Sequence, residues 1–173
     1  SCPSSVNGIV GMKPTTGLVS RSGIVPISSS QDTAGPMGAS VDIVAKTLEV
    51  ISGYDEDDPA TSLIPSNFDF NFSSVTKNIS LKGVRLGLLD SENSNPQVIK
   101  LHKKIKEIIN SLGGEVILMN DDRDYPGDAE YYVLLYEFRV GLEEYLNNTN
   151  SSMKKITDII DFNNKNKDIV MPY

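Results

Sequence analysis

A strand, helix, strand pattern between residues 84 and 119 constrains this chain more than any other stretch. "VRLGLL", Val84 to Leu89, is a mostly apolar stretch of strand length and a candidate for a buried strand. Pro96 then stands near the start of a segment in which Val98, Leu101, Ile105, Ile108 and Leu112 recur at helical spacing, and Gly113 and Gly114 end it. "EVILM", closing at Met119, supplies a second strand. Two neighbouring strands joined through one helix run parallel, with a right-handed crossover. The chain is therefore expected to be α/β, with a βαβ unit at about 84–119.

The flanking segments carry equally local signals. Ser40 opens "SVDIVAKTLEVISGYD", with Val41, Val44, Leu48 and Ile51 on one face; Ser40 suits an N-cap and Gly53 a residue just past the helix end. From Gly8 to Pro26, short apolar pieces are cut by Gly8, Gly11, Gly17 and Gly23, which predicts short strands and turns lying close to neighbouring backbone. Residues 54–80, rich in Asn, Ser, Asp and Pro, read as a long surface connection, and "DEDDP" as the loop that ends the preceding helix. Ala129 to Leu146 reads as a helix despite Gly141, and a shorter helix follows from Ser151 with Met153, Ile156, Ile159 and Ile160 turned inward.

Composition then narrows the function classes. With 173 residues, 39% of them hydrophobic, the chain suits one ordinary folded domain of the cytoplasmic type. A net charge of -7 without a basic stripe argues against binding nucleic acid or an anionic membrane surface. No apolar run approaches the ~18 residues of a membrane-spanning helix. Cys2 is the only cysteine and His102 the only histidine, so one chain assembles neither a disulfide framework nor a Cys/His metal cage.

Oxygen ligands are the remaining route to a metal. "NDDRDYPGD", Asn120 to Asp128, has the alternation of a calcium loop but Tyr125 where the turn-forming glycine belongs, and reads as a solvated turn. The glycines near the start match neither GxGxxG nor GxxxxGK[ST], so no phosphate cradle is expected. Ser74 and Lys77, and again Ser151 and Lys154, have SxxK spacing without the companion SDN or KTG motifs. A Cys2 nucleophile would need His102 as its base, and His102 beside Leu101 reads as a boundary residue of its helix. Four N-x-[ST] triplets begin at Asn71, Asn78, Asn147 and Asn150, as an Asn- and Ser-rich composition produces. No metal, no cofactor and no complete catalytic set is read from the residues.

The run "CPSSVNGIVGMKPTTGLVSRSGIVPISSSQDTAGPMGASVDIVAKTLEVISGYDEDDP", Cys2 to Pro59, resembles the amidase signature family of serine amidohydrolases. Gly8, Gly11, Lys13, Pro14, Gly17, Ser20, Arg21, Gly23, Pro26, Asp32, Gly35, Pro36 and Met37 fill that family's motif. "VLLYEFRVGLEEYL" and "ITDIIDFNN" look like two further segments of its stand-alone amidases. The resemblance implies a mixed β-sheet flanked by helices, of which residues 1–173 are a single partial domain. Within it, residues 1–59 are the trailing part of the signature, 60–80 a surface connection, and 81–173 the βαβ unit with the helices after it.

The chemistry implied is a Ser, cis-Ser, Lys triad that hydrolyses a carboxamide to carboxylate and ammonia or amine, with no cofactor. In the family register the nucleophile stands two residues before Ser1, so no catalytic residue is assigned here. The chain is expected to be a C-terminal portion, inactive alone. Ser1 and Cys2 follow the nucleophile and stand where they would line its pocket, and Tyr136 lies on a helix that in relatives approaches the substrate. Lys13 matches a structural lysine of the motif. Glu143 and Glu144 replace the basic pattern seen in the A subunits of tRNA amidotransferases, which favours a general amidase over that alternative. A non-catalytic remnant that pairs with an N-terminal fragment is the other alternative. The expected partner is a small-molecule amide, with self-association through exposed edges.

Overall fold

The computed structural model describes residues 2–77, 80–89, 95–120 and 124–170. Along the chain run α1 (Cys2–Val6), β1 (Val10–Gly11), β2 (Met37–Gly38), α2 (Val41–Ile51), 3-10 turns at Pro59–Leu63 and Phe72–Lys77, β3 (Arg85–Leu89), α3 (Pro96–Ser111), β4 (Glu115–Met119), α4 (Gly127–Asn147), α5 (Ile156–Lys165) and α6 (Lys167–Val170). They form two compact units, Ser1–Phe72 with Pro126–Tyr173, and Ser73–Tyr125. Among the described residues, parallel and antiparallel pairing are both present, divided between two two-stranded sheets.

In the first unit β1 and β2 pair antiparallel, Val10 opposite Gly38 and Gly11 opposite Met37, and Met12 N–H donates to the Pro36 carbonyl at 3.0 Å. Gly35 allows this approach: a Cβ there would collide with the Met12 carbonyl oxygen. Ser40 caps α2 as expected, its hydroxyl accepting from Ile43 N–H, and Gly53, with φ +148, follows the helix end and donates to the Leu18 carbonyl. The buried stripe of α2 is Val44, Ala45 and Leu48, and Val19, bridged to Ser52 past the helix end, is buried too, while Val41 and Ile51 are exposed. The buried face is thus rotated slightly from the one expected, to include Ala45 in place of Val41 and Ile51.

Of residues 54–77 and 80 most are exposed or half-buried, but Asp58 and Thr61 are buried. Asp58 caps the turn at Pro59–Leu63 by accepting from Ala60 N–H. Proline at the first helical position is preset for such a turn.

Helix α4 runs through Gly141, which lies against Pro26. Helix α5 starts at Ile156, later than expected, because the Asp158 carboxylate accepts from the N–H groups of Lys154 and Lys155 and caps it there. Met153 therefore precedes the helix. The Lys154 ammonium donates to the carbonyls of Leu146 and Thr149, both at 3.0 Å, and so closes the carboxyl end of α4.

The second unit is the anticipated βαβ unit: β3 and β4 are parallel, in register from Arg85 opposite Glu115 to Leu89 opposite Met119. Asn95 caps α3 through Gln97 N–H, with Pro96 at the first helical position. The half-buried residues of α3 include Ile99, His102, Ile105 and Ile109, whereas Val98, Leu101, Ile108 and Leu112 are exposed. Two apolar stripes share this helix, and spacing alone does not say which one packs. His102 is half-buried as a boundary residue, with its Nδ1 enclosed and unpartnered. The acidic turn from Asn120 lies partly outside the described residues.

Candidate functional site

The glycine- and proline-cut segment and the aspartates after α2 fold into one polar clamp around Arg21. Asp58 accepts from Arg21 N–H and Nε at 2.9 Å each, and from Nη2 at 2.8 Å. The Arg21 Nη1 donates to the Ser29 carbonyl, and the Ser20 hydroxyl donates to Asp55. Thr61 seals the lower side: its hydroxyl accepts from Asp55 N–H at 2.9 Å and donates toward the Asp58 carbonyl at 2.8 Å. The Arg21 hydrogen bond holds the Asp58 carboxyl well below the usual carboxylate range, against the opposing effect of burial. The same bond raises the guanidinium. Asp55 is lowered in turn, chiefly by the Ser20 hydroxyl.

A second carboxylate ties the clamp to α4. Glu137 accepts from the hydroxyls of Ser28 and Ser30 and from Ser30 N–H, and these bonds, Ser28 first, lower its pKa. Asp32 closes the same loop by accepting from Ile27 and Ser28 N–H at 2.8 and 2.9 Å. Between the Arg21 turn, Asp57–Asp58 and the carboxyl-terminal half of α4 lies a cavity of about 620 Å³, reached by Glu144 and Tyr145.

These groups hold backbone and charge in place. Ser20 and Ser28 each donate to a carboxylate whose pKa is lowered, which is a poor general base for activating a hydroxyl near neutral pH. The Ser151 hydroxyl accepts from Met153 N–H at 3.1 Å while Lys154 caps α4, so this SxxK pair serves local structure. Among the described residues no group of three or more His, Cys, Asp or Glu side chains could hold a metal, and no helix is long and apolar enough to cross a membrane.

Of the residues proposed to meet substrate, Ser1 lies outside the described residues. Cys2 is exposed at the first position of α1, and Tyr136 is 73% exposed on α4. No hydrogen bond or ring contact joins Cys2 to Tyr136 among the described residues. Cys2 and His102 fall in different compact units. Asp55, Asp58 and Glu137 were not singled out by sequence reasoning. The Asp-Pro pair at Asp58 was the one local signal, while the bond from Ser28 to Glu137 spans 109 residues and leaves no local trace.

A family model described as Amidase matches residues 1–169. The chain is 34% identical over 171 residues to a probable amidase of Arabidopsis thaliana, covering 93% of this chain and 32% of that protein. It is 38% identical over 137 residues to the A subunit of the glutamyl-tRNA(Gln) amidotransferase of Prochlorococcus marinus, covering 76% of this chain and 27% of that protein. Its fold superposes on native peptide amidase from Stenotrophomonas maltophilia with a TM-score of 0.88 and 38% identity, over 96% of this chain and 35% of the other. An amidase family protein from Bacillus anthracis gives a TM-score of 0.80 at 29% identity. The chain thus spans about a third of the length of the relatives it matches. With its glycine- and proline-rich run folded into one packed frame and its sequence matched from residue 1 to 169, the chain belongs to the amidase family.

Proposed function

We propose that this chain is the portion following the nucleophile in a serine amidase that hydrolyses a small carboxamide. The likeness to peptide amidase across 96% of the chain carries this reading. The reaction adds water across the amide C–N bond and releases a carboxylate with ammonia or an amine. A serine just upstream of Ser1 forms the acyl intermediate, backbone N–H groups beside it stabilise the oxyanion, and Ser1 and Cys2 flank the pocket. Tyr136 borders the substrate from α4. Residues 1–173 then contribute substrate contacts and the polar frame, without a triad member or a cofactor, in a cytoplasmic protein that binds neither nucleic acid nor membrane.

Peptide amides are the first substrate class to test, after the Stenotrophomonas enzyme. The amidotransferase reading has less support, since Glu143 accepts from Ile156 N–H and Glu144 borders the cavity, leaving acidic groups where the amidotransferase pattern is basic. The decisive experiment measures ammonia release by the protein carrying the upstream segment, on a panel of peptide and aryl carboxamides. Glutamine with misacylated tRNA and the other amidotransferase subunits serves as the competing arm. Turnover of carboxamides without partners is expected. Activity confined to the glutamine and tRNA arm would replace this reading with the amidotransferase one.

A further inference from the structure

Helix α4 is apolar on more than one side, so its own pattern does little to fix its rotation. Leu134, Phe138, Leu142 and Leu146 lie on the packed stripe, yet Tyr132, Tyr136 and Val140, at successive helical turns, are 69%, 73% and 49% exposed. A helix with apolar residues on two sides needs something besides hydrophobic burial to choose its face.

Two contacts one turn apart supply it. Glu137 receives the hydroxyls of Ser28 and Ser30, the latter at 2.9 Å, and Ser30 N–H at 3.1 Å. Four residues on, Gly141 lies so close to Pro26 that a Cβ would stand 3.2 Å from the ring. Positions i and i+4 share a helix face, so both contacts press the same side of α4 to residues 26–30. That loop is itself fixed: Asp32 closes it, the Arg21 guanidinium donates to the Ser29 carbonyl, and Ser28 is 1% exposed. Each helical residue turns about 100°, so slipping the latch by one residue would swing Tyr136 through about that angle.

We infer that Glu137 is a positioning residue that sets the rotation of α4 and so presents the Tyr132–Tyr136 side to substrate. This rests on the amidase reading and on the place of Tyr136 in it. The test uses the protein with its upstream segment and compares Glu137→Ala, Glu137→Gln and Ser28→Ala/Ser30→Ala with the parent. Two readouts are taken: steady-state hydrolysis of a peptide amide, and deuterium uptake of residues 27–32 and 131–137.

In Glu137→Ala, KM is expected to rise about tenfold, with kcat changed by less than about threefold, since a displaced substrate contact away from the reacting bond removes binding made equally in the ground and transition states. Uptake should rise in both segments. The double serine variant should behave alike, and Glu137→Gln, which keeps an acceptor oxygen, should recover most of the KM. Raised uptake with an unchanged KM would overturn the positioning role and leave a structural tie. Unchanged uptake and unchanged KM would remove the latch altogether. A parent protein that turns over no amide defeats the amidase reading and the substrate role with it, while the uptake comparison, which needs no turnover, still shows whether the latch exists.

Discussion

Asp58 takes four hydrogen bonds, three from Arg21 and one from Ala60 N–H, while 4% exposed. Its carboxyl is depressed in the folded chain, so its stabilisation is complete above the unfolded value of about 3.9 and is lost as pH falls through the lower folded value. Asp55, Glu137 and Asp158 are shifted in the same direction and add to the same acid limb. Replacing Asp58 with alanine strands a largely buried guanidinium, a change that costs about 3–5 kcal/mol. Urea unfolding at pH 7 should register that loss. The gap between parent and variant should narrow steadily below about pH 4, where the unfolded carboxylate starts to take its proton. A gap independent of pH would mean that Asp58 acts through shape alone.

Helices α2 and α3 contrast how far local pattern reaches. In α2 the cap was written in the sequence, and Ser40→Ala should cost about 1 kcal/mol, against about 2–5 kcal/mol for Leu48→Ala in the core beneath. Thermal and urea unfolding check both. In α3 two apolar stripes compete, and the structure half-buries Ile109, beside Gly114, while leaving Ile108 48% exposed. Ile109→Ala should therefore destabilise more than Ile108→Ala; the reverse order would restore the face read from spacing.

At the scale of the molecule, much apolar surface is uncovered: Val98 and Leu101 on α3, Leu118 and Met119 on β4, and Tyr131, Tyr132 and Tyr136 on α4. Parallel strands are ordinarily covered on both faces, and large exposed apolar patches mark surfaces that bind something. Light scattering of the 173-residue chain, 18.9 kDa as a monomer, should show association that grows with concentration. A single monomeric species across that range would contradict this. The same preparation should release no ammonia from any carboxamide, since Ser20 and Ser28 are bonded to carboxylates that cannot serve as strong bases.

By itself the sequence determined the α/β class, the parallel βαβ unit, the cap at Ser40, the stop at Gly53 and the family. The first four are carried by short local stretches, where spacing, turn chemistry and capping act, and the family by motif positions spread from Gly8 to Met37. Only the tertiary structure decided which stripe of α3 packs, that Asp58 and Thr61 are interior, and that Glu137 meets Ser28 and Ser30. Those outcomes depend on partners 37 residues away for Arg21 and Asp58 and 109 for Ser28 and Glu137. An aspartate in a polar run looks solvated until folding brings an arginine to it, because the energy that buries a charge comes from the partner and not from the residues beside it in the chain.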